Sequence, residues 1–247
     1  MTLEVGFSSH PGRKRQTNQD AVGVFLAANQ DSSPSILIVA DGMGGHRGGD
    51  MASRLAVETI QKVCSQAGQA QDYRALLSEG VQAAHREICL AAGRDAQLSD
   101  MGTTVVIAIV TRGRAFLANV GDSRAYRARG GTLSLLSRDH SWVAEQVRAG
   151  LISEEEARNH PHRSRLTMAL SPGRAQVTPY LAETTLEAGD NLVLCTDGLW
   201  GVISETILAA VVDELSPQAA ADKLVSLANQ NLGPDNISVV VARYSST

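Results

Sequence analysis

Four aspartates stand where apolar runs start or stop: Asp41 after residues 36–40, Asp122 after 117–120, Asp197 after 192–195, and Asp235 just before 237–241. The runs are short and rich in β-branched residues, which reads as strands, and the glycines beside the acids read as breaks. An acid that follows one strand and an acid that precedes an antiparallel neighbour lie at the same sheet edge, so the four could share one rim. A lone Asp-Gly would be no more than a solvated turn, but its recurrence at strand ends asks for a common cause. Carboxylates brought together repel one another, and a cluster of them is costly unless cations occupy it. The oxygen donors on offer, with a Gly42 carbonyl that no side chain shields, suit magnesium, manganese or calcium better than zinc or copper. Of the six histidines only His46 lies beside one of these acids, and Cys195 falls inside a strand.

The chain has 247 residues, 43% of them hydrophobic and 4% aromatic, which supplies a large aliphatic core for a single domain over 1–247. A formal charge of -4 and no basic run beyond Arg13-Lys14-Arg15 argue against a nucleic-acid surface. Cys64, Cys89 and Cys195 lie in helical or strand-like runs and read as free thiols of a reducing compartment. The N-terminus shows no signal pattern, and no apolar stretch approaches the about 20 residues that a bilayer demands. A soluble, cytoplasmic protein away from membranes is expected, and nothing in the sequence demands more than a monomer.

The elements that must place the acids follow in chain order. Residues 3–9 alternate as a half-buried strand, Pro11-Gly12 turns the chain, and a polar loop with Arg15 and Asp20 leads to a second strand at 21–27. In isolation Arg15 is a solvated loop arginine. If this hairpin lies beside the strand ending at Asp41, Arg15 becomes a clamp for a phosphate and Asp20 a fifth acid at the rim. Ala52, Leu55, Ala56, Ile60 and Val63 keep helical spacing, as do Leu77, Val81, Ala84, Ile88 and Ala91 up to a stop at Gly93. Strands at 105–110, 115–120, 126–129 and 132–136 then read as an antiparallel meander with tight glycine turns. Residues 141–175, polar and holding a capping box that starts at Ser153, read as an inserted flap. Beyond it come strands at 178–186 and 192–195, helices at 204–212 and 216–229, and a continuous apolar strand at 237–244 expected at the centre of a sheet.

Taken together and in order, Arg15-x-x-Asn18-Gln19-Asp20, Asp41-Gly42-Met43-Gly44-Gly45-His46, Met101-Gly102-Thr103-Thr104, Gly121-Asp122-Ser123-Arg124, Asp139-His140-Ser141, Thr196-Asp197-Gly198-Leu199 and Asp235-Asn236-Ile237-Ser238 resemble the metal-dependent protein phosphatases of the PPM family, also called type 2C. Residues 41–46 are similar to its compact bacterial branch. The resemblance covers the whole chain. It implies an α+β fold, a four-layer α-β-β-α sandwich of two central antiparallel β-sheets flanked by helices, with a metal cleft at one end. It also implies hydrolysis of phosphoserine and phosphothreonine in proteins, in bacterial signal transduction, by a water activated between two Mg2+ or Mn2+ ions.

On that resemblance Asp41 would bridge the ions, Asp197 and Asp235 would complete the first, and the Gly42 carbonyl with Asp20 would serve the second. Asp122, with Asp197, would hold a weaker third ion, and Arg15 would bind the substrate phosphate. Met43 stands where eukaryotic relatives carry a histidine proposed as general acid, which leaves His46 or a water to protonate the leaving group. Ser164 stands where close bacterial relatives often place a flap histidine. The catalytic set is then Asp41, Asp197, Asp235 and His46. Two competing readings are a hydrolase of small phosphate esters with the same ions and a non-catalytic phosphoprotein-binding module. The full acid set speaks against the module.

Overall fold

In a computed structural model of the chain, which describes residues 2–27, 33–44, 48–66 and 72–245, the apolar runs pair into two antiparallel sheets. One sheet holds β1 (Thr2–His10), β11 (Ile237–Ser245), β10 (Asn191–Cys195), β7 (Arg124–Arg129) and β8 (Thr132–Leu135), in that order. The other runs β2 (Asp20–Phe25), β3 (Ser35–Met43), β5 (Val105–Thr111), β6 (Arg114–Val120) and β9 (Tyr180–Thr185), with the short β4 (Gly102–Thr103) against the end of β3. The apolar closing strand β11 is central, between β1 and β10.

Alternation along the strands sorts their side chains into separate cores. From β3, Ile36, Ile38 and Ala40 share a cluster with Ala56, Ile60 and Val81 of helices α1 (Gly48–Gln66) and α2 (Tyr73–Arg94). Leu37 and Val39, between them in sequence, point the other way and join Leu192, Leu194, Val240 and Tyr244 between the sheets. On the far side Val193, Cys195, Val239 and Val241 pack with α5 (Asp197–Trp200), α6 (Glu205–Glu214) and α7 (Pro217–Gln230), whose Leu199, Leu208 and Leu224 complete the third core, so the layers run helix, sheet, sheet, helix. No described helix is long and apolar enough to cross a membrane.

Between β8 and β9 the chain forms α3 (Trp142–Arg148), capped by Ser141, and α4 (Glu154–Asn159). The Ser153 capping box is made in full: its backbone N–H donates to Glu156 Oε2 at 2.7 Å, and the Glu156 N–H donates back to Ser153 Oγ at 3.2 Å. Residues 151–165 are largely exposed, whereas Ala169, Leu170 and Val177 return to the core.

Several local expectations change. The strands between 105 and 135 are not one meander: β5 and β6 lie in one sheet, β7 and β8 in the other. The chain crosses over at Gly121, whose φ of 96° is left-handed and whose added Cβ would lie 2.5 Å from Thr104 Cγ2. Likewise β1 and β2 belong to different sheets, so Arg15 sits in a crossover loop and not in a hairpin. Helix α2 passes through Gly93 to Arg94, because Gly93 is exposed and nothing there forces a turn; Asp95 then ends it and caps the next short turn. Its start is earlier too, fixed by Asp72, whose carboxylate accepts from the Arg74 and Ala75 N–H groups at 2.9 and 3.1 Å.

Leu37→Ala and Ile38→Ala empty opposite faces of one strand, and each is expected to lower stability by about 2–5 kcal/mol in urea unfolding followed by circular dichroism. A cost below about 0.5 kcal/mol for either would show that its face is not packed.

Candidate metal centre

Asp41, near the end of β3, lies directly opposite Asp20 at the start of β2. In the same sheet Asp122 follows β6, while from the other sheet Asp197 opens α5 directly after β10 and Asp235 precedes β11. The acids therefore come from both sheets to one mouth of the sandwich, and charge on one raises the pKa of several others. Burial first, and then repulsion from Asp20, Asp197, Asp122 and Asp235, holds Asp41 well above the usual carboxylate range. Burial pushes Asp20 up to about 7 even though hydrogen bonds from Ser238 and Thr196 oppose it. Asp122 is pushed up to about 8 by burial and by Asp197 and Asp139, and Asp197 is raised by burial and by Asp235. Asp41 and Asp197, from opposite sheets, also act on each other's carboxylates.

A frame of neutral side chains holds these acids. The Thr196 hydroxyl donates to Asp20 Oδ2 at 3.0 Å and accepts the Ser238 backbone N–H at 3.0 Å, so it joins β2 of one sheet to β10 and β11 of the other. Thr104 Oγ1 accepts the Asp41 N–H at 3.2 Å, and Thr103 Oγ1 donates to the Asp41 carbonyl at 2.9 Å. Asn236 donates to the Pro11 and Thr17 carbonyls at 3.0 and 2.9 Å and accepts the Gln19 N–H at 2.9 Å, which ties the Arg15 loop beside Asp235. There Arg15 Nη2 donates to Asp235 Oδ2 at 2.7 Å. Behind Asp122, the Trp200 indole donates to its carbonyl at 3.0 Å, and Arg124 lies 3.7 Å above the Trp200 ring while chelating the buried Asp139.

A family model described as Protein phosphatase 2C matches residues 9–233. The chain belongs to the protein phosphatase 2C family. It is 38% identical over 244 residues to the serine/threonine phosphatase stp of Listeria welshimeri, a match covering 97% of this chain and 95% of that relative. Among solved structures it resembles the serine/threonine phosphatase PstP/Ppp of Mycobacterium tuberculosis, with TM-score 0.90 and 32% identity over 100% of both chains. It also resembles a PstP catalytic domain in complex with two manganese ions, with TM-score 0.86 and 31% identity over 99% of this chain and 100% of that one.

The residues of this type 2C cleft fit divalent cations. Asp20 Oδ1 and Asp197 Oδ1 are buried acceptors without a hydrogen-bond partner, and a buried carboxylate oxygen needs a donor or a cation. Gly42 is packed so closely that an added Cβ would lie 2.1 Å from the Gly49 carbonyl oxygen and 2.4 Å from that of Gln19, so only glycine fits at this position, next to Asp41. Every donor in the set is a hard oxygen, which matches Mg2+ or Mn2+.

Among the described residues no three His, Cys, Asp or Glu side chains are close enough together to hold an ion as they stand. Asp235 has both carboxylate oxygens engaged, Oδ2 by Arg15 Nη2 at 2.7 Å and Oδ1 by the Asn236 N–H at 2.9 Å. An ion at Asp235 would therefore compete with Arg15 for that carboxylate, a competition that the sequence did not show. His46 lies outside the described residues. Met43 is half-buried at the end of β3 and has no proton to give, and Ser164 is exposed in the flap.

The raised carboxylates set a pH dependence. In the folded chain they keep protons that the unfolded chain loses near pH 4, so the metal-free protein loses stability as pH rises from about 4 through the raised values of Asp20, about 7, and Asp122, about 8. Bound cations offset the loss. Manganese added to chelator-treated protein is expected to raise the melting temperature more at pH 8 than at pH 5. Equal shifts at both pH values would contradict the charge cluster.

Proposed function

We propose that this phosphatase 2C protein hydrolyses phosphoserine and phosphothreonine in bacterial phosphoproteins, with the acids of both sheets as its metal ligands. The observation that carries the residue roles is the convergence of Asp20, Asp41 and Asp122 from one sheet with Asp197 and Asp235 from the other, two of them with unpartnered buried oxygens. When bound, two Mg2+ or Mn2+ ions neutralise these acids and supply the activated water that attacks phosphorus.

Asp41, which pairs with Asp20 within its sheet and acts on Asp197 across the gap, would serve both ions. Asp197 and Asp235 complete the first, and Asp20 with the Gly42 carbonyl serves the second. Asp122, close to Asp197, supports a weaker third. Arg15 keeps its side chain 56% exposed at the mouth, where its remaining N–H groups can donate to phosphoryl oxygens in a planar fork. The chain offers no thiolate in exchange for this route: burial pushes the Cys195 thiol, inside β10, up to about 12. His46 is assigned the proton donated to the leaving seryl or threonyl oxygen, because Met43 cannot give one. The whole chain acts as one phosphatase domain with residues 141–175 as its flap. Cys64, Cys89 and Cys195, all free, support a reducing, cytoplasmic setting, and the protein acts as a monomer.

With manganese, the protein is expected to release phosphate from phosphothreonine peptides and to stop in excess chelator. Asp41→Ala and Asp197→Ala should each cost roughly 10²–10³ in kcat, whereas the Asp122→Ala defect should shrink as manganese is raised. Full turnover in chelator, or the same manganese titration for Asp197→Ala and Asp122→Ala, would overturn these roles. Turnover of small phosphate esters without any of phosphopeptides would favour the narrower hydrolase. Arg15→Ala should raise KM for phosphopeptides about tenfold and change kcat little, because a clamp on the ground-state phosphate contributes uniform binding.

A further inference from the structure

Beside the flap the chain forms an open pocket of about 570 Å³ whose lining includes Arg138, His140, Glu145, Arg148, Met168 and Tyr180. Its charge is mostly positive and mostly uncompensated. Arg138 and Arg148 are exposed, and among the described residues neither guanidinium has a carboxylate partner. Arg148 is steadied by donating Nη1 to the Asp139 carbonyl at 3.0 Å, which leaves its other donors available. Glu145, the acid in the lining, accepts the Thr167 hydroxyl at 2.5 Å. His140 Nδ1 accepts the Gly121 N–H at 3.2 Å, so the neutral ring carries its proton on Nε2 and presents a third donor. Burial, with smaller repulsion from Arg148 and Arg138, holds His140 below its usual range against the opposing backbone hydrogen bond with Gly121, and partial burial with Arg138 lowers Arg148. Glu145 and Asp139 act on Arg148 in the opposite sense and offset this only in part.

The pocket is fastened to the metal centre without being part of it. His140 donates its backbone N–H to the Gly121 carbonyl at 2.9 Å, next to Asp122. Tyr180, at the start of β9, is the cross-strand partner of Asn119 on β6, so the pocket opens at the same end of the sandwich as the acids.

We propose that this pocket is a second anion subsite that binds, without hydrolysing, a further phosphoryl group on the phosphoprotein whose first phosphate lies at the metals. The proposal rests on the phosphatase reading above. Two guanidinium forks and an imidazole N–H match the oxygens of a phosphate, and an anion between Arg138 and Arg148 relieves their repulsion. Met168 and Tyr180 offer the connecting peptide an apolar wall. The pocket has no cluster of acids to hold a cation, so an occupant is bound and left intact.

The test compares singly and doubly phosphorylated forms of one peptide, with p-nitrophenyl phosphate as control, in wild type, Arg138→Ala/Arg148→Ala and Arg138→Lys/Arg148→Lys, all with manganese. Wild type is expected to favour the doubly phosphorylated peptide about tenfold in kcat/KM, through KM. The alanine pair should abolish that preference and the lysine pair retain part of it, while p-nitrophenyl phosphate and the singly phosphorylated peptide are turned over within about twofold of wild type. Equal kcat/KM for both peptides in wild type, or a preference that survives the alanine pair, overturns the subsite. Inorganic phosphate that alters p-nitrophenyl phosphate turnover in wild type but not in the alanine pair, with no preference between peptides, overturns it in favour of a free-anion site. Failure of wild type to turn over any of the three substrates would strike the phosphatase reading instead.

Discussion

Repulsion among carboxylates that are partly withdrawn from water is the constraint around which this protein is built. A solvated aspartate costs nothing at neutral pH; Asp20, Asp41, Asp122 and Asp197 sit where burial and neighbouring carboxylates hold their protons on above the usual range. No apolar core is improved by such an arrangement, and unpartnered oxygens on Asp20 and Asp197 add to its cost. Cations that neutralise the set turn that cost into binding energy and supply the charge that phosphoryl transfer needs. Arg15 occupies an intermediate position, as the counter-ion of Asp235 in the fold and as the substrate's partner in the reaction.

The two-sheet sandwich follows from that requirement. A single sheet presents its strand ends in a row, whereas two sheets packed face to face bring acids toward a common point from opposite sides. The aliphatic layer of Leu37, Val39, Leu192, Leu194 and Val240 fixes how the sheets face each other, and the Thr196 hydroxyl bridges them at the mouth. Family membership and fold are thus consistent with the same physical fact, that the chain commits its best-packed strands to holding like charges together.

Much of this was legible in the sequence, and the limits were physical. Asp41, Asp197 and Asp235 could be placed because an apolar β-branched run broken by an acid and a glycine fits little besides a strand that ends there, and Ser153 marked a helix start because a capping box is purely local. The crossover at Gly121 was hidden, since a positive φ leaves the same letters as an ordinary hairpin turn. The Arg15–Asp235 pair joins residues 220 positions apart, and no spacing rule reaches that far. Thr104, Thr196 and Asn236 looked like ordinary members of their motifs, because a hydroxyl or amide that positions an acid differs from a solvated one only in what it touches. The basic pocket was hidden for a related reason: nothing in the spacing of Arg138, His140 and Arg148 sets them apart from other polar residues, and only the fold brings them together beside one cavity.

The central claim is that divalent cations hold these acids together, and crystals grown with manganese, measured at its absorption edge, test it most directly. Two anomalous peaks are predicted within coordination distance of Asp41, one shared with Asp197 and Asp235 and the other near Asp20 and the Gly42 carbonyl, with Asp235 released from Arg15. Peaks that leave Asp41 untouched, or a manganese-soaked cleft in which Asp235 still pairs with Arg15 and no ion is bound, would contradict it.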